Sequence, residues 1–151
     1  MSIKSQEANM RRMAKLLSQD LGYIYGDKEC EPNGAKKTFL RLGNVFLRAL
    51  AKDLGLHNAT VRANPGGIAV SGDCTLTGMW EENGIFVDLS QIHLGRPMAI
   101  CYRTVRHAKD HSGGHNRWIS VADLEKLSYQ ELLSRLSALR KSAVTDYERA
   151  A

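Results

Sequence analysis

Along the first fifth of the chain apolar residues recur every three or four positions. Met10, Met13, Ala14, Leu17 and Leu21 share one face, which predicts a helix over about 6–20. Ser5 is read as its N-cap and Gly22 as its stop. Turn residues at Gly26, Pro32, Asn33 and Gly34 make 23–34 a loop. The strongest pattern follows, predicting a second helix over about 35–54. At about 100° per residue Phe39, Leu42, Phe46, Leu50 and Leu54 fall in one arc. Lys37, Arg41, Asn44, Arg48 and Lys52 gather within about 80° on the opposite side, a basic stripe some four turns long. Gly55 closes the helix.

The period then shortens from 3.6 to 2. Strands are expected within about 58–106, the first a short one over 59–63 before the turn Asn64-Pro65-Gly66-Gly67. Ile68, Val70, Cys74, Leu76 and Trp80 alternate with Ser71, Asp73, Thr75 and Thr77. The connection Glu81-Glu82-Asn83-Gly84 reads as a hairpin whose Asn-Gly pair suits positive φ. Ile85, Val87 and Leu89 give the next strand and 98–106 another, with Gly72 and Gly78 at bulges or close backbone approaches. Helical spacing returns over about 121–127, opened by Ser120, and about 129–148, opened by the capping box Ser128…Glu131. Leu132, Leu136, Leu139, Ala143 and Tyr147 form the last stripe. This order predicts an α+β fold: an antiparallel meander of about four strands flanked by N-terminal and C-terminal helices, in one domain spanning 1–151.

Composition narrows the class. The 151 residues are 43% hydrophobic and 25% charged, a balance that excludes a disordered chain. No run approaches the ~18 apolar residues of a membrane span, and the opening MSIKSQEANMRRMAK lacks a signal peptide's apolar core. A cytoplasmic protein with no membrane partner is the expectation. A net charge of +5 leans toward polyanionic partners. The three cysteines include no C-x-x-C pair and are expected as thiols.

Candidate chemistry concentrates in 101–118, CYRTVRHAKDHSGGHNRW, where strand alternation gives way to a long polar loop. Gly113 and Gly114 let backbone N–H groups turn toward an anion. Arg103, Arg106, Lys109 and Arg117 ring them with donors, and Trp118 or Tyr102 offers a stacking surface. The alternative is a structural loop in which Asp110 pairs with an arginine, Asn116 bonds the backbone and Trp118 fills the core. His107, His111 and His115, spaced four and four, suggest a metal site, with zinc as the cofactor of a hydrolase or nuclease. Ser112-Gly113-Gly114 breaks the helix that spacing needs, and no zinc framework matches. No G-x-S-x-G, H-E-x-x-H or P-loop is present, and Cys101 sits mid-strand, where a buried thiol is the ordinary outcome. The expectation is a binding protein without catalytic residues or cofactor. Its contact residues would be Lys37, Arg41, Arg48, Lys52 and the loop cations.

One further pattern adds to this reading. NPGGIAVSGDCTLTG, followed by ICYRTVRHAKDHSGGHNRW and ISVADL, resembles a set of small proteins carried on plasmids, phages and other mobile elements of Gram-negative bacteria. The matching residues are Asn64, Gly66, Gly67, Ala69 to Gly72, Asp73, Thr75 and Leu76, then Tyr102, Arg103, Asp110, Gly113, Gly114 and Asn116. The resemblance covers about the middle 60 residues and leaves both helical ends unmatched, and the histidines are not its fixed feature. It brings no established activity with it. What it implies is a mobile-element accessory protein of the anti-defence kind (anti-CRISPR or anti-restriction). Its partner would be a host defence nucleoprotein complex, or nucleic acid.

Overall fold

A computed structural model of the chain describes residues 2–19, 21, 34–66, 71–91, 98–111 and 114–140. The elements run α1 (Ile3–Leu17), α2 (Ala35–Asp53), β1 (His57–Asn64), β2 (Asp73–Met79), β3 (Gly84–Ser90), β4 (Met98–Val105), β5 (Arg117–Ser120), α3 (Val121–Lys126) and α4 (Tyr129–Ser137). The strands form one sheet in the order β1-β2-β3-β4-β5, each antiparallel to the next. The fold is α+β, with five strands rather than the four or so that alternation predicts. The addition is β5. Four residues are too few to display a period of two, so the sequence alone ends the loop at Trp118; in the structure Trp118 pairs with Cys101 of β4.

Local chemistry accounts for the boundaries. α1 starts at Ile3 and stops at Leu17, earlier at both ends than the expected 6–20. Ser2 is the N-cap in place of Ser5, its hydroxyl accepting from the Ser5 N–H at 3.1 Å. Ser120 and Ser128 cap α3 and α4, the latter through the full capping box with Glu131. The positive φ expected at Asn83-Gly84 is absent: neither residue has it. Asn83 is instead buried, and its side-chain amide donates to the Leu139 carbonyl at 3.1 Å. The expected run of the last helix to 148, with Ala143 and Tyr147, lies outside the described residues, as do Gly22, Gly67, Ile68 and Val70.

Alternation along the strands sends Cys74, Leu76, Ile85, Val87, Leu89, Ile100 and Ile119 to one face of the sheet. There they join one core with Met10 and Met13 of α1, Phe39, Phe46 and Leu50 of α2, and Leu132 and Leu136 of α4. Each such side chain, fully withdrawn from water, contributes about 1.5–3 kcal/mol. Helix ends are closed by side chains from the sheet and its turns. Trp80 Nε1 donates to Leu54 O at the end of α2 (2.8 Å), and Gln91 Nε2 to Leu17 O at the end of α1 (2.7 Å) and to Gln19 O. Arg11 of α1 reaches Leu124 O of α3 at 2.9 Å. Inside the helical layer Gln6 Nε2 donates to Phe46 O (3.1 Å) and Tyr129 Oη (3.3 Å), and Tyr129 in turn donates to Asp53 Oδ2 at 2.6 Å.

α2 meets the sheet at Gly43, where a Cβ would stand 2.6 Å from Cys74 Sγ and 3.2 Å from Leu89 Cδ2. Gly43→Ala is therefore expected to destabilise by about 1–3 kcal/mol in urea unfolding, although alanine is the better helix former by about 1 kcal/mol. Adding Cys74→Ala should recover most of the loss. A double variant no more stable than Gly43→Ala alone would remove this contact as the cause.

Candidate interaction surface

The basic stripe lies where its spacing placed it. Lys37, Arg41, Arg48 and Lys52 are all exposed, on the side of α2 away from the buried Phe39, Leu42, Phe46 and Leu50. Asp53 is the helix's one acid, and its carboxylate receives the Tyr129 hydroxyl. Among the described residues none of the four cations forms an ion pair; Arg48 Nε bonds Asn44 Oδ1 at 2.7 Å. Lys37 stands in the first turn, where the helix dipole disfavours a cation, and no acid offsets it there. The stripe runs about 22 Å from Lys37 to Lys52.

The 106–116 loop is built differently. Asp110, only 4% exposed, accepts from the Arg106 backbone N–H (3.0 Å), its Nε (3.1 Å) and its Nη2 (3.3 Å). Its own N–H donates to His107 O at 3.1 Å, so the 106–110 turn is closed on itself. Gly114 takes φ +76°, and a Cβ there would strike Thr104 Oγ1 at 2.5 Å, so the return strand leaves the loop pressed against β4. Arg106 is thus half engaged in structure, the Asp–Arg pair of the alternative reading, whereas Trp118 lies on the sheet's second face and not in the core. Lys109 and Asn116 are exposed, whereas Arg103, Arg117 and Trp118 are half-buried; Gly113 lies outside the described residues. Arg103 lies over the Phe86 ring, 5.1 Å from its centroid. Arg117 Nη1 bonds His115 O at 3.3 Å. His107, His111 and His115 are exposed, and among the described residues no three His, Cys, Asp or Glu side chains are grouped to hold a metal ion.

Nor do the two cationic sets form one patch. α2 packs on β1 and β2, while the loop joins β4 to β5 at the other edge of the sheet.

The sheet's second face holds what spacing alone had not linked. Strand register sets Thr75, Asp88, Cys101 and Trp118 side by side across β2 to β5, with Asp73 diagonal to Asp88. Burial, then the nearby Asp73 charge, pushes the Asp88 carboxyl up to about 7, and its Oδ1 is buried without a hydrogen-bond partner. Burial also pushes the Cys101 thiol up to about 11 and Cys74 to about 12, so neither is a thiolate at neutral pH. The hairpin contained the signal: with Met79 opposite Gly84, counting back puts Asp88 opposite Thr75 and Asp73 opposite Ser90.

What these elements define is an α+β protein with one sheet face under helices and a cationic outer helix. Comparison with protein-family models, with curated proteins and with solved structures returned no match.

Two outcomes follow. Asp110→Ala should cost about 2–3 kcal/mol, since a buried carboxylate with three bonds is lost, and Asp110→Asn should cost less by keeping the Arg106 backbone bond; equal losses in thermal unfolding would contradict this. For Asp88 the folded value lies above the unfolded 3.8, so its neutral form is favoured by folding. That stability is complete below about pH 4 and is lost as pH rises through about 7. Asp88→Asn should therefore stabilise at pH 8, by about 1–3 kcal/mol, and leave stability near pH 4 unchanged. A variant no more stable than the parent at pH 8 would rule out the buried charge as a cost.

Proposed function

We propose that this chain is a non-catalytic binding protein of a mobile genetic element, acting on a host defence nucleoprotein complex or on nucleic acid itself. The observation that carries the reading is the outer face of α2: Lys37, Arg41, Arg48 and Lys52 exposed in a line, without acidic neighbours on that face. A solvated helix face ordinarily mixes signs, because alternating charges stabilise it by about 0.2–0.5 kcal/mol per pair. This one forgoes that gain and accepts a cation in its first turn. Phosphates spaced along a backbone recover the loss by releasing condensed counterions when cations replace them. The loop cations, led by exposed Lys109, form a second contact zone at the far sheet edge. Resemblance of the middle segment to mobile-element proteins supplies the biological setting.

The test is fluorescence anisotropy with a labelled duplex of about 20 base pairs across a salt series. Four phosphate contacts would weaken binding about a hundredfold between about 50 and 200 mM salt. Arg41→Ala with Arg48→Ala should lower the slope of log K against log salt by about 1.8 while unfolding remains as in the parent. A double variant that binds as well as the parent would leave the stripe as solvated surface and end this reading.

A further inference from the structure

We propose that the outer edge of β1 receives an extended, acidic segment of a partner protein as a sixth strand. β1 is an end strand, paired with β2 on one side only. Seven of its eight residues are exposed and Val61 alone is half-buried. Among the described residues, no backbone hydrogen bond reaches its outer side. Alternate residues of an antiparallel strand turn N–H and C=O outward, so β1 presents a row of donors and acceptors that no described residue answers. Proteins usually blunt such an edge with charged side chains, proline, a cover or a bulge; here Arg62 is the strand's one charge and Pro65 follows it. Here the register shift falls between His57 and Thr60, at Asn58 with φ +51°, and leaves Thr60 to Asn64 in unbroken register. That is a template of about 17 Å, long enough for a recognition strand.

The flanks set the chemistry of the occupant. Going round α2 at about 100° per residue, Phe46 faces Tyr129, Gly43 comes next over Cys74 and Leu89, then Ala51, and beyond it Asn44, Lys37 and Arg48. α1 packs against α2, and α2 lies on β1 and β2, so Lys37 and Arg48 are the members of the outer stripe nearest the β1 side. Arg62 alternates with Val61, which packs on the core, and so serves the opposite face of the same edge. Arg62 thus lies on one face of the open edge, the two members of the α2 stripe nearest β1 stand above the other, and β1 itself (HNATVRAN) contains no acid. Successive side chains of an added strand point alternately to those two faces, where carboxylates find partners on either side. A second copy of this chain would bring two cationic edges together, which argues for a foreign acidic segment.

The inference shares Lys37 and Arg48 with the proposed polyanion contact but does not rest on it. The probe is a capped, labelled octapeptide Val-Glu-Glu-Val-Val-Glu-Glu-Val, which sends carboxylates to both faces, followed by anisotropy, beside the same peptide N-methylated at alternate residues. The plain peptide should bind at least tenfold more tightly than the methylated one, since methylation removes backbone donors and keeps every charge. Arg62→Glu should weaken peptide binding at least fivefold and leave duplex binding unchanged. Equal affinity for the two peptides, or no binding of either at millimolar concentration, overturns the proposal; duplex binding in the same preparation keeps that failure separate from failure of the polyanion reading. Sedimentation showing a parent dimer that Arg62→Glu alters would assign the edge to a second copy and overturn it too.

Discussion

A sheet that buries a single face needs a cover, and here the cover is drawn from both sides of the sheet in sequence: α1 and α2 before it, α3 and α4 after it. Most of the remaining structure follows from that demand. Five strands in simple meander order require no crossovers, so every helix is available to the same layer. Stacking the layer close to the sheet requires a place where backbone can approach, which Gly43 provides above Cys74. Crowding helix ends together leaves carbonyls that water no longer reaches well, and Trp80, Gln91 and Asn83 answer them from strand ends and turns. The second face, with no described helix over it, retains the polar and charged residues that the alternation sent there.

Much of this architecture could be read from the chain because the periods are clean. The arc of α2 and the alternation from Cys74 to Leu89 each repeat often enough to fix both element and face, and the Ser128–Glu131 box marks a helix start by its own hydrogen bonds. What escaped were features too short to be periodic or decided by distant partners. β5 is four residues long and is a strand only because β4 lies beside it. Asn83 followed by Gly84 has the look of a positive-φ turn, yet burial against the end of α4 dictated another conformation. Ser5 and Ser2 both fit a helix start, and α1 takes the earlier one.

The candidate surface divides in the same manner. Cations on α2 were legible because a helix face is a local property. The role of Asp110 was open, since an Asp four residues from an Arg serves a turn or a ligand equally well until burial is known; at 4% exposure it serves the turn. Proximity of Asp73 to Asp88 depends on register, which the hairpin fixes at a distance of several residues. The open edge of β1 could not be read at all, because whether a strand is central or terminal belongs to the sheet and not to the strand.

The bond between Gln6 and Tyr129 joins residues 123 positions apart. At about 5–20 residues per second, a ribosome takes roughly 6 to 25 seconds to travel that distance. Throughout that interval Met10, Met13 and the buried glutamine of α1 face no α4, and for its last 83 residues Phe46 of α2 is without the aromatic edge that later meets it. The meander can pair as each hairpin appears, but its cover cannot close from one end. Synthesis thus holds a half-covered sheet open for seconds, and chaperone engagement during translation belongs to that window.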